Sequence, residues 1–304
     1  MTWTALNPHA CQLGESPFWH PHEQCLYWVD IDGRQLLRAN GYTGDIQSWD
    51  LPAEPGCAAP AASGGVVLAM RDGVYRARQW KGALQRLQAA PYDPATTRFN
   101  DGKCDPAGRF WAGTIYEPRD KPLGTLYRLA PGADASLVLR TMAEGATVAN
   151  GLAWSPDQRT LYWSDTPQHV IRAWDWDADT GHMTRPRVFH QFASKPAGWT
   201  YGMGGYGGRP DGAAVDAEGN YWVAMFEGGR VVKLSPSGEL LAELPTPALC
   251  PTMPCFGGDD LKTLYITTAR HNRGAQELAD FPLSGCVLAT RVAVPGLPVN
   301  FFQD

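Results

Sequence analysis

A turn followed by a short apolar strand recurs along this chain. Each copy has a turn rich in Asp, Pro or Gly, and then a short run of aromatic and β-branched residues. The clearest copies are Phe18–Asp30, Asp105–Thr114, Trp154–Asp165, Val215–Ala224 and Phe256–Thr267. Because one such unit cannot bury its apolar face alone, the recurrence predicts a repeat architecture in which neighbouring units pack together.

The centres of the repeated strands are spaced like the blades of a β-propeller. They fall at Tyr27, Leu68, Trp111, Tyr162, Trp222 and Tyr265, at intervals of 41, 43, 51, 60 and 43 residues. A period of this size suits a four-stranded antiparallel blade. Helix signals are nearly absent apart from one turn at Gln276–Ala279, which disfavours an alternating β/α architecture. We therefore expect an all-β, six-bladed β-propeller that forms a single domain over residues 1–304.

Composition narrows the class of protein. Of the 304 residues, 44% are hydrophobic and 19% are charged, and the net charge is −5. This charge offers no basic surface for nucleic acid or anionic lipid, so we expect neither partner. The sequence contains no run of eighteen apolar residues, which is the length expected of a membrane span, and no recognisable signal peptide.

The cysteines indicate free thiols rather than a disulfide framework. The chain has seven of them, an odd number, and none are paired at CxxC spacing. Free buried thiols in a reducing cytoplasm are the favoured interpretation. A zinc site at Cys250 and Cys255 is a weaker alternative, because no second Cys/His pair at metal spacing accompanies them.

Four oxygen-bearing side chains occupy matching positions just before the repeated strands: Glu15, Asn100, Asn150 and Asp211. In a propeller the innermost strands line a central channel, so residues at their starts converge. Buried acids without partners are costly, and the group therefore predicts a bound divalent cation such as Ca²⁺, Mg²⁺, Mn²⁺ or, less well matched, Zn²⁺. Taken singly, each also fits a plain turn. Arg98, two residues before Asn100, would lie at the channel mouth and could hold a polar substrate.

Other catalytic motifs are missing from the sequence. It contains no HExxH, no Gly-x-Ser-x-Gly and no phosphate-binding P-loop. The stretch Gly202–Gly207 fits GxGxxG by letter, but it neither follows a strand nor opens a helix. It belongs to a Gly/aromatic segment, Trp199–Gly208, that lengthens the fifth interval. We interpret this segment as a lid or an oligomer contact, with a disordered surface loop as the alternative.

Several motifs together resemble the SMP-30/gluconolactonase/regucalcin family of sugar lactonases over nearly the whole chain. They are Leu13–Trp19, Arg98–Lys103 with Asp105–Thr114, Asn150–Asp157, Pro210–Asp216, and Pro254–Gly258 running to Leu264–Arg270. The resemblance implies a six-bladed propeller with one divalent metal ion (Ca, Zn, Mn, Mg or Fe) in the channel. It implies that Glu15, Asn150 and Asp211 bind that metal.

The resemblance also implies a substrate site. Arg98 and Asn100 would contact a sugar lactone, with Asn100 near the metal as well, and an acidic contact corresponds to Glu117 with its register shifted by about one residue. The chain departs from the family pattern at Ser16, where Gly is frequent, and at Ile115, where Met is usual. Trp199–Gly208 is an insertion relative to the family.

These expectations combine into a mechanism. The metal would polarise the lactone carbonyl, and Asp211 or a hydroxide on the metal would activate water, giving the aldonic acid. A calcium-binding regulatory propeller without turnover remains an alternative, because fold does not determine function. A phosphotriesterase-like hydrolase is another, since a Lewis acid also polarises P=O. A WD40-type interaction propeller is disfavoured by its missing signature. The oligomeric state is not predicted.

Overall fold

Six four-stranded antiparallel sheets follow one another along the chain in the computed structural model, which describes residues 2–6, 10–132 and 136–304. A short first strand, β1 (Thr4–Ala5), precedes them. Sheet one contains β2 (Gly14–His20), β3 (Cys25–Asp30), β4 (Gln35–Asn40) and β5 (Ile46–Asp50). Sheet two contains β6 (Pro55–Pro60), β7 (Val66–Met70), β8 (Gly73–Ala77) and β9 (Gln85–Ala89).

The next three sheets repeat this up-and-down order. Sheet three contains β10 (Thr97–Cys104), β11 (Phe110–Tyr116), β12 (Gly124–Pro131) and β13 (Leu137–Ala146). Sheet four contains β14 (Ala149–Trp154), β15 (Thr160–Asp165), β16 (Val170–Trp176) and β17 (Met183–Gln191). Sheet five contains β18 (Arg209–Val215), β19 (Tyr221–Phe226), β20 (Arg230–Leu234) and β21 (Leu240–Pro245).

The sixth sheet joins the two ends of the chain. It contains β22 (Pro251–Gly257), β23 (Thr263–Thr268) and β24 (Leu288–Arg291), and β1 pairs antiparallel with β24 as its outermost strand. A single helix among the described residues, α1 (Ala275–Asp280), lies between β23 and β24 and includes the predicted turn Gln276–Ala279. The first strands of the six sheets pack against one another in a closed ring. The predicted six-bladed propeller is thus confirmed, and each spacing marker lies in the second strand of its blade.

The recurring turn is stabilised by the same bonds in two blades. The buried Asp105 carboxylate accepts a hydrogen bond from the Trp111 indole nitrogen at 2.8 Å and from the backbone N–H groups of Ala107 and Arg109. Asp216 binds the Trp222 indole in the same way at 2.9 Å. In both blades the Asp carboxylate accepts hydrogen bonds from the backbone of its own turn and from the indole of a tryptophan six residues later. These bonds explain why the spacing between Asp and Trp recurs in the sequence.

Burial is graded from the channel outward. The inner strands β2, β6, β14 and β22 are buried at every position, whereas the outermost strands β13 and β17 are mostly exposed or half-buried. All seven cysteines are free and buried, as expected. Among the described helices, none is long and apolar enough to cross a membrane.

Candidate active site

The inner strands that carry the predicted site residues share a local irregularity. The pairing of each with its neighbour is interrupted between Glu15 and Phe18, Phe99 and Gly102, Asn150 and Ala153, and Pro210 and Ala213. Such bulges bend a strand and re-aim its side chains. The repeated position predicted from the sequence therefore coincides with a repeated bulge near the start of each of these inner strands.

These bulges bring the predicted residues to one cavity of about 210 Å³. Its wall includes Glu15, Arg98, Asn100, Ile115, Arg119, Asn150, Thr166, Arg209, Asp211, Phe226, Glu227, His271 and Arg273. Five of the six predicted site residues thus line the same cavity. A second cavity of about 240 Å³ lies nearer the opposite ends of the inner strands, and mainly apolar residues such as Trp19, Trp154 and Phe256 line it.

A chain of hydrogen bonds crosses three blades at this cavity. Arg98 Nη1 donates to Asn100 Oδ1 at 2.8 Å, and Asn100 Nδ2 donates to Asn150 Oδ1 at 2.8 Å. Asn150 Nδ2 donates to Thr166 Oγ1 at 2.8 Å, and Thr166 Oγ1 donates to the Pro210 carbonyl at 2.7 Å. The chain fixes which way the Asn150 amide faces. A carbonyl oxygen has two lone pairs, so Asn150 Oδ1 keeps one acceptor site beside the bond from Asn100.

Two carboxylates share the cavity, and among the described residues neither forms a salt bridge, although the arginines of the wall act on the charge of Asp211. Glu15 and Asp211 are 6% and 7% exposed. Burial and the nearby Asp211 raise the pKa of Glu15 well above its usual range. Burial and the nearby Asp101 raise the pKa of Asp211 to about 8. In the described residues, the Glu15 side chain accepts a hydrogen bond only from the N–H of Ser16. A bound cation would offset the cost of burying these two acids in their ionised form.

The donor set fits a hard divalent cation. Within residues 2–6, 10–132 and 136–304, no three His, Cys, Asp or Glu side chains lie together as a metal cluster. The predicted ligands Glu15, Asp211 and Asn150 offer two carboxylates and one amide oxygen on this wall, and their binding of a metal stays a prediction. Oxygen donors of this kind are those that Ca²⁺ and Mg²⁺ prefer.

Glu117 occupies a different position from the other predicted residues. It is not on the cavity wall, and its two oxygens accept bonds of 2.9 Å each from Nη1 and Nη2 of Arg71. One of them also lies 3.5 Å from Arg98 Nε. The geometry therefore shows Glu117 as an ionic support for Arg98, and direct contact between Glu117 and a substrate stays a prediction.

The sequence reasoning missed the remaining charged groups of the wall: Arg119, Arg209, Glu227 and Arg273. One of them had a usable signal. Arg209 precedes Asp211 by two residues, just as Arg98 precedes Asn100, and each arginine lies one residue before the point at which the strand pairing is interrupted. Arg119 lies in the turn after β11, and Glu227 in the turn after β19, where the repeat leaves no constant pattern.

The Gly/aromatic segment packs beside this cavity. Tyr206 Oη lies 2.9 Å from His169 Nε2, and the Lys195 ammonium lies over the rings of Trp199 and Tyr206. Lys195 in turn binds the Glu227 carboxylate at 2.8 Å. Lys195 thus connects the rings of this segment to Glu227 of the cavity wall. Its role as a lid or an oligomer contact stays a prediction.

Comparison with known proteins identifies relatives over almost the full chain. Residues 13–270 match the SMP-30/Gluconolactonase/LRE-like region family. A 6-deoxy-6-sulfogluconolactonase of Pseudomonas putida is 47% identical over 290 residues, covering 95% of this chain and 94% of that protein. Regucalcin of Danio rerio is 36% identical over 292 residues, covering 94% of this chain and 93% of the relative.

A solved structure shows the same architecture. The calcium-binding protein regucalcin from Agrobacterium tumefaciens superposes with a TM-score of 0.90 at 25% identity, covering 99% of this chain and 97% of that one. The family match and the superposition agree with the six-bladed fold described above. The chain belongs to the SMP-30/gluconolactonase/LRE-like family.

Proposed function

We propose that this protein hydrolyses a sugar lactone to the aldonic acid with the help of a divalent cation held by Glu15, Asn150 and Asp211. It is a lactonase, a carboxylic-ester hydrolase, as its family and the 47% identity to a 6-deoxy-6-sulfogluconolactonase support. That relative makes 6-deoxy-6-sulfogluconolactone the first substrate to test. The observation that carries the proposal is the pair of buried carboxylates beside Asn150 and Arg98 in one cavity, neither of which forms a salt bridge among the described residues.

When bound, the cation supplies Lewis-acid stabilisation of the charge that develops on the lactone carbonyl oxygen, and it favours the ionised form of the neighbouring carboxylates. Asp211, with its carboxylate on the cavity wall, is the residue that takes the proton from the attacking water. Its side chain accepts no hydrogen bond from any described residue, so its lone pairs are available for this work.

Arg98 and Asn100 have different roles in binding the lactone, because they differ in which of their donor groups are free. Arg98 Nη1 is used by the Phe99 carbonyl and by Asn100 Oδ1, whereas its Nη2 has no partner among the described residues and can donate to a substrate oxygen. Asn100 Nδ2 already donates to the Ala149 carbonyl and to Asn150 Oδ1. We therefore assign Asn100 mainly to positioning Asn150, and Arg98 to substrate contact.

The test is acid release at constant pH from a panel of aldonolactones. Wild type is compared after chelation and after reconstitution with Ca²⁺, Mg²⁺, Mn²⁺, Zn²⁺ or Fe²⁺. We expect turnover that depends on the metal and that falls at least about 100-fold in Asp211→Asn, the usual contribution of a general base. Asp259→Asn, in the exposed turn between β22 and β23, is the matched control and should keep wild-type activity.

Two outcomes would count against the proposal. Full activity in Asp211→Asn would remove Asp211 from the proton-transfer step. A protein that binds the cation tightly but hydrolyses no lactone would instead be a calcium-binding propeller without turnover.

A further inference from the structure

The cavity wall carries more positive charge than a neutral sugar lactone needs. It contains the guanidinium groups of Arg98, Arg119, Arg209 and Arg273 against the carboxylates of Glu15, Asp211 and Glu227. A divalent cation would neutralise Glu15 and Asp211. Arg98 is also paired with Glu117 and Arg273 with Glu277, which lie outside this wall, so the charges of Arg119 and Arg209 are the least compensated of the four.

Glu227 cannot balance this surplus, because other cations already bind it. Its Oε2 lies 2.8 Å from Lys195 Nζ, and its Oε1 lies 3.2 Å from Arg273 Nη1. Arg209 Nη2 is the most distant of the three cations, at 3.4 Å from Oε2. Burial acts to raise the pKa of Glu227, but the surrounding cations lower it below its usual value, so this carboxylate is ionised and already paired.

Arg119 has still less compensation. Its side chain is exposed at the turn after β11, and within the described parts of the chain it has no hydrogen bond or ion pair. Partial desolvation of its guanidinium at the cavity wall and the like charge of Arg209 lower the pKa of Arg119, against an opposing effect of Asp211 and Glu117. Two arginines of like charge therefore face the same cavity. Among the described residues, the Arg119 side chain has no ion pair, and Arg209 has only its 3.4 Å contact with the shared Glu227.

We infer that Arg119 and Arg209 bind an anionic substituent of the lactone, a tetrahedral oxyanion such as a sulfonate or a phosphate at the end of the sugar remote from the carbonyl. This inference rests on the proposed function. Arginine presents a fixed fork of donors that matches the oxygens of such groups. Arg209 precedes Asp211 by two strand residues, about 7 Å along an extended chain, which separates the anion site from the site of hydrolysis.

The experiment compares lactones that differ only at this substituent. Values of kcat and KM are measured for 6-deoxy-6-sulfogluconolactone, 6-phosphogluconolactone and uncharged gluconolactone with the metal-loaded protein. The variants are Arg119→Gln, Arg209→Gln and the conservative Arg119→Lys and Arg209→Lys. Arg140→Gln, on the exposed outer strand β13, is the matched control and should leave all three substrates unaffected.

We expect wild type to prefer at least one charged lactone, and the preferred one to distinguish sulfonate from phosphate. Each Gln variant should raise the KM for that lactone on the order of tenfold or more, the usual worth of a hydrogen bond to a charged group. This loss should exceed any loss on gluconolactone at least tenfold, and Lys should restore part of it. Added salt should weaken the preference.

The inference is overturned if wild type hydrolyses charged and uncharged lactones equally, or if the Gln variants lose activity on all three alike. Failure of the proposed function has a separate signature, since the metal-loaded wild type would then hydrolyse none of them, gluconolactone included. Because Arg119 is exposed, its variants test the inference even if Arg209→Gln disturbs the fold.

Discussion

Asn150 shows how a single side chain in this site is oriented by its neighbours. Its amide nitrogen donates to Thr166 Oγ1, and its amide oxygen accepts from Asn100 Nδ2. Thr166 is 6% exposed, and its hydroxyl in turn donates a hydrogen bond to the carbonyl of Pro210, one residue before Asp211. Thr166 touches neither of the two carboxylates through these bonds, yet it determines which atom of Asn150 faces the cavity.

Replacing Thr166 by Val should therefore weaken binding of the divalent cation by about tenfold to 100-fold, the usual effect of losing a residue that orients a metal ligand. It should also lower the free energy of unfolding by about 1–3 kcal/mol, because the buried Asn150 amide and the Pro210 carbonyl lose a partner. Titration calorimetry with Ca²⁺ or Mn²⁺ and urea unfolding measure the two effects.

Thr166→Ser is the matched control, since it keeps the hydroxyl and loses only a methyl group. It should retain most of the cation affinity. If Val and Ser variants bind the cation equally well, the hydroxyl does not orient Asn150.

At the scale of the strand, the bulges lie beside the predicted site residues of all four inner strands that carry them. In β14 the bulge is made by Gly151, which has a φ of +62°. Its carbonyl accepts a bond of 2.6 Å from the Tyr221 hydroxyl of the next blade. A Cβ at this position would collide with the Tyr221 hydroxyl and with Ser164 Oγ. Glycine is required here both for the left-handed backbone and for the close contact between blades.

Gly151→Ala should consequently lower the free energy of unfolding by more than the roughly 1–2 kcal/mol that a left-handed alanine costs on its own. Gly145→Ala provides the comparison, because Gly145 also has a positive φ, +87°, but nothing lies within 4 Å of its Cβ position. Urea unfolding should show the larger loss for Gly151→Ala, together with weaker cation binding. Equal losses in both variants would mean that the contact between blades is unimportant.

The strands themselves could be predicted from the sequence, but their bulges could not. Aromatic and β-branched runs after Asp- or Gly-rich turns depend on local chemistry, so Trp111 and Trp222 marked their blades correctly. Glu15 and Asp211 were found because each repeats the same phase before its strand. The partner of Glu117 is Arg71, which comes from another blade, and a contact that depends on blade packing leaves no local pattern.

The whole ring is closed from both ends of the chain. β1 completes the sixth blade, and the last residues return to the second blade, where the Phe302 N–H donates to the Pro60 carbonyl at 2.8 Å. Phe302 itself is fully buried. The Asp304 carboxylate then binds the buried Arg76 at 2.8 Å.

Phe302→Ala should lower the free energy of unfolding by about 3–5 kcal/mol, because it opens a cavity in the core of the second and third blades. Its neighbour Phe301 is only half-buried and contacts the rings of His20 and His22, so Phe301→Ala should cost clearly less. Chemical denaturation of the two variants measures the difference. Similar costs would show that the tail does not anchor the ring.

The accessibility of the buried cysteines can report how the closed ring opens. Burial raises the pKa of all seven thiols, so that almost no reactive thiolate is present at neutral pH. They are distributed over the first, second, third and sixth blades and the segments that flank them. A thiol-specific label should thus enter the native protein only as fast as blades separate, and the order in which the cysteines react would give the order in which the ring comes apart.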